Sequence, residues 1–141
     1  MTNLSESLRQ RVRQRAENRC EYCLSHQDYV MGRLQVDHIQ PIIKEGSNSE
    51  DNLCLACELC NQYKWTQTEG IDPQTGKQIS LFNPRQQKWS DHFAWNEEGT
   101  FILDITAYGR STVDALKLNN PLAIKVRQNW VRAGWHPPKI S

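Results

Sequence analysis

Apolar residues recur in different rhythms along the chain, and each rhythm predicts a different element. Leu8, Val12 and Ala16 return every four residues, the spacing of one helix face, so a helix is expected over about residues 5–18. Ser5 is placed to cap it, and Glu6 lies at the positive end of its dipole. Arg9, Arg11, Arg13 and Arg15 take the remaining surface, either as a solvated face or as phosphate contacts. Residues 29–43 have strand character, with Val30, Leu34, Val36 and Ile39 among polar residues and Pro41 ending the run. The segment KEGSNSED (44–51) reads as a loop from its Gly, Ser and Asn content. Leu53 and Leu55 follow, and then a helix from Glu58 to about Gln67.

The pattern shifts beyond residue 68. Asp72-Pro73-Gln74-Thr75-Gly76 is a turn signature. Residues 93–105 read as a hairpin around Asn96-Glu97-Glu98-Gly99. Ser111, with Asp114 three residues on, is expected to start a short helix. A last helix starts near Pro121, carries Leu122, Val126 and Trp130, and closes at Gly134. The expected organisation is a functional module over 1–68, a turn-rich connection over 69–79 and an extension over 80–141 that packs on it. These should form one structural domain, because about 60 residues alone make only a marginal core.

A length of 141 residues suits a single domain. Seventeen Lys plus Arg against sixteen Asp plus Glu leave a net charge of +1, which excludes a basic coat and restricts any nucleic-acid binding to a local patch. No run approaches the ~18 apolar residues of a membrane span, and residues 1–11 have no apolar leader stretch. No membrane association is expected, and the expected location is cytoplasmic.

Four of the five cysteines form two C-x-x-C pairs, Cys20 with Cys23 and Cys57 with Cys60. Paired knuckles of this kind read as one structural zinc on four thiolates, which would staple distant stretches of a small core. A redox motif would need one pair beside a βαβ pattern, which is missing. Cys54 is left over and reads as a small buried residue. His26, His92 and His136 have no partners at ligand spacing and are assigned to surface or packing. Trp65, Trp89, Trp95, Trp130 and Trp135 are read as packing residues rather than base-stacking platforms.

The chemistry concentrates between and just after the knuckles. Here stand Asp37-His38-Ile39-x-Pro41, then Asn52-Leu53, then Cys57-x-x-Cys60-Asn61-x-x-Lys64. Over about residues 16–66 this resembles the HNH endonucleases, of the His-Me finger or ββα-metal nuclease group. The resemblance implies an α+β fold: a small zinc-stapled ββα-metal core, with an N-terminal helix and a C-terminal extension of hairpin plus helices. It implies His38 as general base, Asp37 and Asn61 as ligands of a catalytic divalent cation, and Asn52 as the residue holding the loop that orients His38. It also implies cleavage of phosphodiester bonds, most readily in DNA, leaving 5′-phosphate and 3′-hydroxyl ends. The tail motifs Leu81-Phe82-Asn83-Pro84-Arg85 and Gly134-Trp135-His136-Pro137-Pro138 resemble a bacterial subgroup and carry no transferable chemistry.

Many members have His where this chain has Asn61. An amide oxygen beside a carboxylate suits Mg²⁺ or Mn²⁺, with Zn²⁺ confined to the thiolates. Imidazole ordinarily titrates near 6.5 and can take a proton from water near neutrality. Neighbouring strand residues point to opposite faces, so Asp37 and His38 require a bulge or strand end to serve one substrate. Lys64, one helix turn from Asn61, is expected either to stabilise the phosphate or to be an ordinary exposed lysine. The rival readings are a non-catalytic zinc-dependent nucleic-acid-binding module and an interaction protein whose nuclease works only with a partner.

Overall fold

The computed structural model describes residues 4–139. The fold is α+β, with short antiparallel strand pairs and five helices among the described residues. The chain divides into two compact units. The first runs from the N-terminus to Thr68 and takes in Asn83–Gln87; the second comprises Glu69–Phe82 and the chain from Lys88 onward.

In the first unit, helix α1 (Glu6–Arg15) starts where the Ser5 hydroxyl accepts from Leu8 N at 3.1 Å. It stops short of the expected Asn18 because Glu17 and Asn18 turn to positive φ. Val12 and Ala16 pack with Leu34, Leu53 and Leu55 into the core of this unit. Strand β1 (Gln35–His38) pairs antiparallel with β2 (Leu53–Ala56), in a register running from Gln35 opposite Ala56 to His38 opposite Leu53. The broad strand character over 29–43 therefore resolves into four residues, flanked by 3-10 turns at Gln27–Tyr29 and Ile42–Lys44. The reason is pairing: β2 offers a partner over its own four residues only. All four residues of β2 are buried, since both faces of the ribbon are covered. Helix α2 (Glu58–Lys64) is capped by Cys57 and ends before the expected Gln67.

The expected arginine surface of α1 is spent on the fold. Arg11 pairs with Glu50 at 2.8 Å, Arg13 donates to Leu34 O at 2.7 Å, and Arg15 donates to Leu53 O at 2.6 Å. Three guanidinium groups thus tie the helix to the ribbon and the loop before β2.

The second unit contains the hairpin β3 (Glu69–Ile71) with β4 (Gln78–Ser80), in the segment expected to be a turn-rich connection. Its turn is built around Asp72, whose carboxylate accepts from Gln74 N and Thr75 Oγ1 and receives two bonds of 2.9 Å from Arg110. After the short helix α3 (Trp89–His92) comes the expected hairpin, β5 (Phe93–Trp95) with β6 (Ile102–Asp104). Asn96 closes it by accepting from Thr100 N and Phe101 N. Helix α4 (Ala107–Ala115) does not start at Ser111. Thr106 is its cap, and Ser111 is buried within it, its hydroxyl bonded to the Tyr108 and Ser80 carbonyls. Gly109 is required there, as a Cβ would stand 2.3 Å from His92 O. Helix α5 (Pro121–Arg132) begins with proline in its first turn, as expected, and Gly134 follows at φ 81°.

Candidate functional site

The knuckles set the frame. In each, the backbone N–H of the second cysteine points at the sulfur of the first, at 3.5 Å for Cys23 to Cys20 and 3.4 Å for Cys60 to Cys57. The four sulfurs lie within 4.8 Å of one another, and Cys23 Sγ stands 3.7 Å from Cys57 Sγ. A tetrahedron with Zn–S bonds of about 2.3 Å has edges of about 3.8 Å, so this cluster fits one zinc ion. Burial pushes the Cys20 thiol well up, and a bound cation is what would let such buried sulfurs ionise together. Beside the knuckle, Glu21 accepts from Leu55 N at 2.9 Å and pairs with Arg85. That pair ties Asn83–Gln87 to the first unit. Cys54 is fully buried, as expected, with its thiol toward the Tyr22 hydroxyl and pushed up by burial.

Fixed between the knuckles, α2 packs against β1. Asn61 Nδ2 donates to Gln35 Oε1 at 3.0 Å, and Lys64 Nζ lies 3.0 Å from Asp37 Oδ2. Gln35 and Asp37 share one strand face, so two rungs of the strand meet two residues one helix turn apart. Lys64 also donates to the His38 carbonyl at 3.0 Å. It is not the exposed helix lysine of one expectation, because it is only 2% exposed. Burial pushes the Asp37 carboxyl up, while the Lys64 ammonium pulls it down.

The ladder is regular through His38, and no bulge intervenes; His38 is instead the last residue of the strand. Asp37 therefore shares the face of Cys54, its cross-strand partner, and His38 shares the face of Leu53. The His38 ring turns to the loop, with Nε2 at 2.9 Å from Asn48 Oδ1. An amide oxygen only accepts, so this bond assigns the proton to Nε2 and leaves the lone pair on Nδ1. Asn52 binds the same loop at three points: it accepts from Gln40 N at 2.9 Å and donates to Gln40 O and Ser47 O at 3.0 and 2.7 Å. The structure thus sets Asn61 against Gln35 and Lys64 against Asp37 on the α2 side, and His38 against Asn48 in the loop that Asn52 holds, with no direct contact between Asp37 and Asn61 among these bonds. Gln35 and Asn48 were not singled out from sequence. Gln35 carries a period-two signal, being two residues before Asp37, whereas Asn48 lies in a stretch where every residue reads as turn.

Residues 20–67 match the HNH endonuclease family model. The four-cysteine cluster falls within that segment and fits a zinc-stapled HNH fold. The HNH match ties the chain to nuclease or other nucleic-acid-related function. No curated protein and no solved structure matches the chain. Among the described residues, Cys20, Cys23, Cys57 and Cys60 are the one cluster of three or more His, Cys, Asp or Glu side chains able to hold a metal ion. No described helix is long and apolar enough to cross a membrane.

Proposed function

We propose that the chain is a metal-dependent endonuclease that hydrolyses phosphodiester bonds in DNA. The observation that carries this reading is the strand end at His38, with an imidazole on one side and Asp37 on the other, inside the segment that matches the HNH model. In-line displacement needs the attacking water and the leaving oxygen on opposite sides of phosphorus, and the end of β1 at His38 meets the condition for neighbouring strand residues to serve one substrate. His38 Nδ1 takes the proton of the attacking water, its Nε2–H held by Asn48. Such a base is worth about 10²–10⁴ in rate. Asn52 keeps the 40–47 loop in place, and with it the ring. Asp37 and Asn61 would hold Mg²⁺ or Mn²⁺, as a carboxylate and an amide oxygen make the hard donor set these ions prefer. The cation supplies neutralisation of charge growing on the phosphate and the leaving 3′-oxygen. Lys64, buried against Asp37 and the His38 carbonyl, fixes the backbone between ligand and base.

A second reading, a zinc-dependent nucleic-acid-binding module without catalysis, draws on the same lysine: its ammonium already neutralises the carboxylate that a cation would need. Supercoiled plasmid incubated with Mg²⁺, Mn²⁺, Zn²⁺ or EDTA separates the two. The nuclease reading expects nicked circles with Mg²⁺ or Mn²⁺ and none with EDTA. Zinc-loaded protein that binds DNA yet leaves the plasmid intact under every ion would establish the binding module instead.

A further inference from the structure

Helix α2 ends in a turn that its own sequence disfavours. Lys64 O accepts from Gln67 N at 2.8 Å, closing a four-residue turn directly after the helix. Its first central residue, Trp65, has φ 47° and ψ −119°. Those are the angles of the first central position of a type II′ turn, where the backbone calls for glycine. An L-residue held there is strained, and strain of this kind persists where the surroundings enforce it or function uses it. Packing does little to offset it, since Trp65 is 75% exposed. Trp89 and Trp130, by contrast, are 8% exposed. The half-exposed Trp135 follows Gly134, where positive φ costs nothing. The expectation that all five tryptophans pack a core therefore fails most clearly at position 65.

Its location gives the exposed indole a use. Trp65 N donates to Asn61 O at 2.9 Å, which places this residue one helix turn from Asn61. It also adjoins Lys64, whose ammonium holds Asp37. We infer that Trp65 stacks on an unpaired nucleobase flanking the scissile phosphate of the proposed site. The inference rests on the nucleic-acid reading of that site. Every base offers a π face, so the contact holds the strand in place without selecting a sequence.

The test compares Trp65→Gly, Trp65→Ala and Trp65→Phe with wild type. The readouts are Tm, zinc content, and affinity of the zinc-loaded protein for a short fluorescein-labelled single-stranded DNA without added Mg²⁺ or Mn²⁺. Trp65→Gly should relieve the turn and raise Tm by about 2–6 °C, while weakening DNA binding about 5- to 100-fold. Trp65→Ala should weaken binding similarly, and Trp65→Phe should keep most of the affinity. A Trp65→Gly protein that binds like wild type overturns the proposal. So does one that loses stability or zinc, because the indole would then be a packing residue. Binding is read without cleavage, so the two readings fail separately. A wild-type protein that binds through Trp65 but never cuts loses the nuclease assignment alone. One that cuts while Trp65→Gly binds unchanged loses the stacking contact alone.

Discussion

Lys64 shows how far a single residue's role can be read from sequence. Its spacing from Asn61 is visible in the sequence and puts both on one helix face, but not whether that face meets solvent or strand. The answer depends on β1, whose Gln35 and Asp37 receive Asn61 and Lys64. Removing the ammonium as Lys64→Met leaves the Asp37 carboxylate buried without its counter-charge. Breaking a buried pair in this way costs about 3–5 kcal/mol. Urea unfolding of the zinc-loaded protein should show a loss of that size, and adding Asp37→Asn should recover much of it. Equal losses in the single and double variants would mean that the pair carries little. The four cysteines were legible from their spacing, and their sulfurs do lie within 4.8 Å of one another; the roles expected of His38 and Asn52 came from the resemblance to the HNH endonucleases and not from spacing. Asn48 was not legible, since nothing in a run of turn formers marks which amide meets the ring.

At the level of elements, a zinc ion on the four thiolates would decide whether β1, β2 and α2 form at all. The ribbon is four residues long and the helix seven, both too short to persist alone in water. A structural zinc contributes about 10–16 kcal/mol in small zinc domains, comparable with the whole stability of an ordinary domain. Metal analysis should find about one zinc per chain, and a strong chelator should abolish the cooperative unfolding of the first unit. An apo-protein that melts at the holo temperature would remove the staple from the account. Element existence was readable where periodicity and caps agreed, as in α1 and α5. The reading of element bounds failed where only a partner decides, as for the strand expected over 29–43 and found over Gln35–His38. It also failed where two cap residues competed: Thr106 accepts from Gly109 N, whereas the Ser111 hydroxyl is committed to carbonyls.

Across the whole molecule, counting charges does not say where the cations go: of the four arginines of α1, Arg11, Arg13 and Arg15 are held by the fold. The return of Asn83–Gln87 to the first unit was not legible, because no periodicity reports an Arg85–Glu21 pair spanning 64 residues. In the second unit, the Arg110 guanidinium holds the Asp72 carboxyl well below the ordinary carboxylate range. A depressed folded value stabilises the fold above the unfolded value, about 3.9, and that stability is lost as pH falls through the window beneath it. Asp72→Asn should therefore lower Tm at neutral pH and flatten the decline of Tm below about pH 4. An unchanged acid decline in the variant would assign it to other carboxylates.

Whether the imidazole at the end of β1 takes a proton from the attacking water is read most directly in the single-turnover nicking rate of His38→Ala. With zinc content and DNA affinity matched to wild type, the rate in Mg²⁺ should fall about 10²–10⁴-fold. Nicking by His38→Ala at the wild-type rate would contradict the account.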